Sequence, residues 1–199
     1  MLPIYKVSST LTFDKLFELP QNQIEYDWFG ERVKNPVSFI VAIDPDKLFL
    51  GAKVEATPWY DAVQTPTQFV EGLWNKDVAE IFIGSSQTPA YQEFNLSPAG
   101  AWWSCVCSKY RKRDQVAFKM PQGIQTFSKI GSANWQAALS IPLDQFSVPL
   151  DLDDACRANV SFVVGKAKRQ YLTWANIQQR EPDFHRAEDY ENVDLITYG

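Results

Sequence analysis

Along much of the chain, apolar and polar side chains exchange places at every second residue, the period of a β-strand with one buried face. The clearest run is Trp135 to Ile141, where Trp135, Ala137, Leu139 and Ile141 alternate with Gln136, Ala138 and Ser140. Comparable β-branched and aromatic runs lie at Val37 to Ile43, Leu48 to Val54, Asp77 to Ile83, Tyr91 to Leu96, Ala101 to Cys107, Gln115 to Lys119, Ile124 to Ile130, Asn159 to Gly165 and Tyr171 to Trp174. Turn-forming clusters punctuate them, among them Asp44-Pro45-Asp46, Ser97-Pro98-Ala99-Gly100, Pro121-Gln122-Gly123 and Gly131-Ser132. Each supplies a preset φ or a residue tolerant of positive φ. The spacing predicts an all-β protein, an antiparallel, jelly-roll-like β-sandwich forming a single domain over residues 1–199. Helical turns are expected only at Asp14 to Leu19, Leu143 to Phe146 and Pro182 to Tyr190.

One pair of runs fixes more than its existence. Asp77 to Ile83 ends at the turn-forming stretch Gly84-Ser85-Ser86-Gln87-Thr88-Pro89, and Tyr91 to Leu96 follows at once, which reads as an antiparallel hairpin. Alternation puts Ala79, Ile81 and Ile83 on one face, and Glu80 and Phe82 on the other. On the return strand Phe94 and Leu96 oppose Tyr91, Glu93 and Asn95. Only one parity buries Ile81, Ile83, Phe94 and Leu96 together, because a slip of one residue would exchange the faces. Glu80 and Glu93 therefore share the non-aliphatic face with Phe82, Tyr91 and Asn95. Such a mixture of rings and hydrogen-bond acceptors suits sugar hydroxyls, and it also fits an ordinary solvated sheet face.

Composition narrows the function classes. Hydrophobic residues make up 45% and aromatics 14% of the 199 residues, which is ample for one core. The net charge of −5 argues against nucleic acid, whose phosphates demand a basic surface, and the basic stretch Lys109-Tyr110-Arg111-Lys112-Arg113 reads as a solvated loop between strands. No stretch approaches the roughly 20 apolar residues of a membrane span, and the Met1 to Lys6 segment lacks the apolar core of a signal peptide. A cytoplasmic location is the expectation, in keeping with an odd number of cysteines, Cys105, Cys107 and Cys156. Cys105 and Cys107 point the same way from one strand, poor geometry for a disulfide and an incomplete metal set. With one histidine in the chain, a His-rich metal site is excluded.

The chemistry-bearing motifs with strong signals are missing: there is no G-x-S-x-G, phosphate-binding loop, dinucleotide fingerprint, H-E-x-x-H or C-x-x-C. What remains is a carboxylate pair, Glu80 with Glu93, which would suit a glycoside hydrolase as an alternative to simple binding. The acidic clusters Asp44-Pro45-Asp46 and Asp151-Leu152-Asp153-Asp154 offer oxygen ligands for calcium but do not match an EF-hand loop, and solvated turns explain them as well. Among seven tryptophans, Trp135 belongs in the core by its alternation, and one of the adjacent Trp102 and Trp103 must point outward. Trp74 and Trp174 each stand beside polar groups at a strand end, where an indole can stack on a sugar ring.

Taken in order, Leu73-Trp74-x-x-Asp77-x-x-Glu80-x-Phe82-Ile83, Tyr91-x-Glu93-Phe94-Asn95-x-x-Pro98-x-Gly100, Trp135 with Ile141-Pro142, Tyr171-x-x-Trp174 and Asp183-Phe184-His185 resemble family 9 carbohydrate-binding modules and their DOMON-like relatives. The resemblance runs from about Val37 to Asp194. It implies a β-sandwich that clamps a sugar between two aromatic rings, often with structural calcium and without turnover. Carried over residue by residue, Trp74 and Trp174 would be the stacking pair, Glu80 the acidic group on the sugar hydroxyls and Asn95 a hydrogen-bonding amide. The ligand-binding set expected is Trp74, Asp77, Glu80, Glu93, Asn95, Tyr171 and Trp174. The chain departs from the pattern at Glu93, where the family leads one to expect a basic side chain, and at Tyr171, where it leads one to expect an asparagine. Asp183 and His185 belong to the motif near the C-terminus but carry no role that the sequence assigns, and a hydrogen-bonded loop anchor is their plain structural reading. A protein-interaction domain without a sugar site is the other non-catalytic reading.

The odd cysteine count yields a first test. Unfolded under non-reducing conditions, the protein should release three thiols to a titrating reagent; fewer than three would contradict the free-cysteine reading.

Overall fold

A computed structural model describes residues 1–152 and 155–199. Thirteen strands form it: β1 Leu2–Lys6, β2 Asn22–Tyr26, β3 Arg32–Ile43, β4 Lys47–Val54, β5 Val78–Ser85, β6 Tyr91–Leu96, β7 Trp102–Lys109, β8 Lys112–Arg113, β9 Gln125–Ile130, β10 Trp135–Pro142, β11 Cys156–Val164, β12 Gln170–Thr173 and β13 Glu191–Thr197. One helix, α1 Phe13–Leu16, is capped by Thr12, whose hydroxyl accepts from Lys15 N (3.4 Å). The expected turn at 143–146 is a 3₁₀ turn, Leu143–Gln145, and the one at 182–190 shrinks to Ala187–Asp189.

The strands make two layers joined along one edge. The first runs β13-β1-β3-β4-β10-β9 with β2 also on β3, and the second runs β8-β7-β6-β5-β11 with β12 and β13 both on β11. Strand β13 bridges the layers, parallel to β1 and antiparallel to β11. The all-β sandwich is as expected, and its ladders are antiparallel except at β1, which runs parallel to both β13 and β3. The run Gln115 to Lys119 forms no strand; Asp114 gathers it into a turn, its Oδ1 accepting from Val116 N (3.1 Å) and Ala117 N (2.9 Å).

Between the layers lies the main core. Phe39, Val41, Leu48, Leu50, Trp135 and Leu139 from one sheet meet Ile81, Ile83, Phe94, Leu96, Val160 and Phe162 from the other. Both outer faces are covered as well. Leu11, Leu16 and Leu19, around α1, pack on Ile40, Phe49 and Ala138 of the first sheet. On the second sheet Leu73, Phe184 and Tyr190 cover Phe82, Tyr91, Trp103, Cys105 and Cys107.

The hairpin has the deduced parity. Ile81 pairs with Phe94 and Ala79 with Leu96 on the inner face, while Glu80 opposite Asn95 and Phe82 opposite Glu93 turn outward. Gln92 is the one polar inward residue of β6, and its amide is satisfied by Ser104 Oγ (3.1 Å) and Ser147 N (2.8 Å). Gly84 closes the hairpin where a Cβ would stand 2.4 Å from Ala90 O, so no side chain fits. Trp102 faces the core and Trp103 the outer cluster, as adjacency requires. All three cysteines are free and buried.

Ile81 is fully enclosed, so Ile81→Ala should cost on the order of 2 to 4 kcal/mol in unfolding free energy. Denaturant unfolding measures it; a cost near zero would place Ile81 outside the core.

Candidate functional site

The outer face of β5, β6, β7, β11 and β12 is not an open solvated surface. Two loop regions roof it and leave a cleft of about 430 Å³. Glu80, Phe82, Glu93, Cys107, Val163 and Tyr171 supply its sheet side; Trp74 and Asn75 stand at one rim, Arg111 and Arg113 at another, and Pro182, Phe184 and His185 at a third.

Period-two alternation sets both carboxylates into this floor, diagonal to each other across β5 and β6. Glu80 is only 3% exposed and Glu93 only 4%. Ser161 Oγ donates to Glu80 Oε2 at 3.4 Å. Glu93 accepts from Asn95 Nδ2 (2.9 Å) and from the Cys105 thiol (3.5 Å), and His185 Nε2 lies 4.0 Å away. Burial, then the charge of Glu93, pushes the Glu80 carboxyl well above the usual carboxylate range. Burial also raises Glu93, against the opposing pull of His185, Asn95 and Cys105. Both shifts favour the protonated carboxyl, which can donate a hydrogen bond where the carboxylate only accepts.

Trp74 is held from below and behind. It sits on the 3₁₀ turn Leu73–Asn75 and meets Trp103 edge-on, ring centroids 5.0 Å apart at 67°. Arg113 lies over both rings, 4.7 Å from the Trp103 centroid and 5.8 Å from that of Trp74. Arg169 clamps the loop: it donates to Trp74 O (2.9 Å), Lys76 O (3.0 Å) and Gly165 O (3.2 Å), and it stacks on Trp59 at 4.9 Å. Asp77 completes the clamp by accepting from Trp59 N (2.9 Å) and Gly165 N (2.8 Å), with Arg169 Nη1 at 4.0 Å.

The third rim is pinned through the basic stretch. Arg111, in the left-handed region at φ 50°, forks onto Asp183 Oδ1 with Nε at 3.1 Å and Nη2 at 2.8 Å. Although burial pushes the Asp183 carboxyl up, hydrogen bonds from Tyr110, Arg111 and His185 N hold it below its ordinary value. His185 Nδ1 and the Tyr91 hydroxyl share a 2.8 Å hydrogen bond, which fixes the ring that borders Glu93. Asp183 and His185 thus tie this loop to the sheet through hydrogen bonds.

A family model described as carbohydrate-binding family 9 matches residues 6–195. The chain belongs to carbohydrate-binding family 9. Three solved structures share its fold. A Bacteroides uniformis protein, named for a proposed carbohydrate-binding role, superposes with a TM-score of 0.72 at 16% identity, covering 98% of each chain. A family 9 module from Caldicellulosiruptor kristjanssonii in complex with cellotriose gives 0.62 at 11% identity, over 99% of this chain and 95% of that one. The same organism's module in complex with glucose gives 0.62 at 12% identity, over 99% and 97%. Identities this low carry the fold alone. Among curated proteins no match to the sequence is found.

Within this family 9 chain, the structure brings Trp74, Glu80, Glu93 and Tyr171 to one cleft and leaves three of the expected residues outside it. Trp174 does not face Trp74. It packs edge-on against Phe39 at 5.2 Å, donates from Nε1 to Met1 O (3.1 Å) and borders a separate depression with Tyr26 and Trp28. The reason is parity: Trp174 follows the end of β12 and its N–H continues the pairing onto Val160 O (2.9 Å), so, three residues from Tyr171, it is presented to the opposite face. Asp77 is an anchor under the loop, its oxygens taken up by backbone N–H groups. Asn95 is fully buried behind Glu93 and orients that carboxylate. Arg111, Arg113, Arg169, Cys107 and Phe184 went unrecognised in the sequence, since only the fold brings them to this face.

For calcium, Asp44 is engaged by Leu11 N (3.0 Å), Asp46 N (2.9 Å) and Lys47 N (2.7 Å), the pattern of a turn-forming aspartate. In the second acidic cluster Asp153 and Asp154 lie outside the described residues. Among the described residues no group of three or more His, Cys, Asp or Glu side chains is placed to hold a metal ion.

The raised Glu80 carboxyl predicts a pH signature. A folded-state value above the ordinary 4.5 means that the stability tied to the bound proton is fully present below the unfolded value and is lost as pH rises through the folded one. Glu80→Gln, always neutral, should flatten that loss, so the variant should gain on the wild type as pH climbs above the ordinary carboxyl value of 4.5. Urea unfolding of both proteins at stepped pH measures the difference; parallel pH profiles would contradict the shift.

Proposed function

We propose that the chain binds a carbohydrate in the cleft between Trp74 and His185 and does not turn it over. One observation carries the reading: an aromatic plate, Trp74, stands at the rim of a cleft whose floor holds two buried carboxylates, Glu80 and Glu93. A pyranose has one face of C–H groups and a periphery of hydroxyls. The indole takes the first by stacking and the carboxyl groups take the second by hydrogen bonds. Tyr171, Phe82 and Phe184 extend the apolar lining, and Tyr171 replaces Trp174 as the second ring of the site. Family membership and the sugars held by the Caldicellulosiruptor kristjanssonii modules support the same ligand class.

Binding should be weak, because each hydroxyl exchanges water for protein at a net gain of only about 0.5 to 1.5 kcal/mol per hydrogen bond. Glycoside hydrolysis by Glu80 and Glu93 is the second reading, and the observation in its favour is their common placement on the cleft floor.

Isothermal calorimetry against a panel of glucose, cellotriose and other small saccharides, paired with a reducing-sugar release assay, tests both. Trp74→Ala should abolish measurable binding. Trp174→Ala should leave binding intact while lowering stability by up to about 3 kcal/mol, since its ring packs on the core and not in the cleft. Release of reducing sugar that disappears in Glu93→Gln, with affinity kept, would move the protein to the hydrolases. Loss of binding in Trp174→Ala with Trp74→Ala unaffected would place the site elsewhere.

A further inference from the structure

Among the described residues no lysine or arginine is in ion-pair contact with the carboxylates on the cleft floor. Glu80 has one weak partner, the Ser161 hydroxyl at 3.4 Å, and Glu93 has an amide, a thiol and His185 Nε2 at 4.0 Å. The two arginines at the rim direct their charge away from the floor: Arg111 is forked on Asp183 at 2.8 Å, and Arg113 pairs with Glu71 at 2.6 Å. Arg169 is tied to three backbone carbonyls. Buried acids in proteins are ordinarily matched by a cation or by a full set of donors. Here both side chains are more than nine-tenths buried, both line the cleft, and Glu80 in particular is aimed into it almost unpartnered.

We infer that the cleft selects an amino sugar, whose ring lies against Trp74 and whose ammonium group is received between the carboxylates of Glu80 and Glu93. This rests on the carbohydrate reading of the same cleft and specifies the class of sugar. The ammonium supplies the cation that the floor lacks, and its N–H donors match the acceptor oxygens facing it. The aromatic lining of Trp74, Tyr171 and Phe184 requires a ring and not a bare amine. Recognition also displaces protons. The titratable and charged groups around the pair are Arg169 from the 165–169 loop and Arg113 from β8, each felt through its charge while paired elsewhere, His185 and Tyr190 from the C-terminal segment, Tyr91 from β6, and Cys105 and Cys107 from β7. Since a proton and an ammonium compete for the same oxygens, affinity should rise with pH until the sugar amine itself loses its proton.

Calorimetry compares glucosamine, galactosamine and mannosamine with their neutral parent sugars, with N-acetylglucosamine and with methylammonium, each in two buffers of different ionisation heat. At least one amino sugar should bind about tenfold more tightly than its parent, as a charge-assisted contact in place of a neutral one allows. It should release protons into buffer, and acetylation of the amine should remove the advantage. Glu80→Gln should lower amino-sugar affinity more than neutral-sugar affinity. Equal binding of all amino sugars and their parents overturns this inference and leaves the carbohydrate reading standing. Binding of methylammonium as tight as that of the amino sugars overturns it as well, because the ring would then contribute nothing. No binding by any saccharide overturns both.

Discussion

The alternation of side chains in the β5–β6 hairpin is the constraint on which the rest of the site depends. Ile81, Ile83, Phe94 and Leu96 are driven inward because they close the core between the sheets. With period two and no bulge recorded between these strands, Glu80, Phe82 and Glu93 have no choice but the outer face. The hydrophobic core therefore sets two acids where their own solvation would not have put them. A slip of one residue would expose four large apolar side chains and bury the acids between the sheets, so both effects hold the register.

Two tethers turn that face into a cleft. Asp77 and Arg169 bind backbone groups of the loop that carries Trp74, and Asp183, Arg111 and the Tyr91–His185 bond hold the C-terminal segment. Each tether uses charge on backbone amides or on a forked arginine, contacts that are directional and tolerate little movement. Trp74 is thus presented by a rigid support, with Trp103 and Arg113 stacked behind it. A ring fixed in advance keeps the entropic cost of ligand binding low, which matters most for a ligand whose hydrogen bonds gain little over water.

Much of this could be read from the chain, and the parts that could not have definite causes. The hairpin parity followed from residues adjacent in sequence, and so did the sandwich, because its ladders are mostly local and antiparallel. Strands β1, β2, β8 and β13 lie outside the runs that the pattern predicts: Pro3 interrupts β1 as a strand pattern, β8 is two residues of a basic stretch, and β1 and β13 pair across nearly the whole chain length. Motif spacing pairs Trp174 with Trp74, but the three-residue offset from Tyr171 sends its side chain to the other face under period-two geometry. The motif alone makes Asp77 a ligand group, whereas the loop folds back and supplies it with two N–H donors. Arg169 lies 95 residues from the Trp74 carbonyl it holds, and no local pattern announces such a contact.

The central claim is that sugar binds on the outer face of the second sheet against Trp74, and not at Trp174. The indole N–H resonances of the seven tryptophans, assigned by single Trp→Phe variants and followed by ¹H–¹⁵N correlation spectroscopy during titration with a saccharide, test it most directly. Binding there shifts the Trp74 resonance with saturation, shifts that of Trp103 behind it less and leaves Trp174 fixed. A saturable shift at Trp174 with Trp74 unmoved would contradict it.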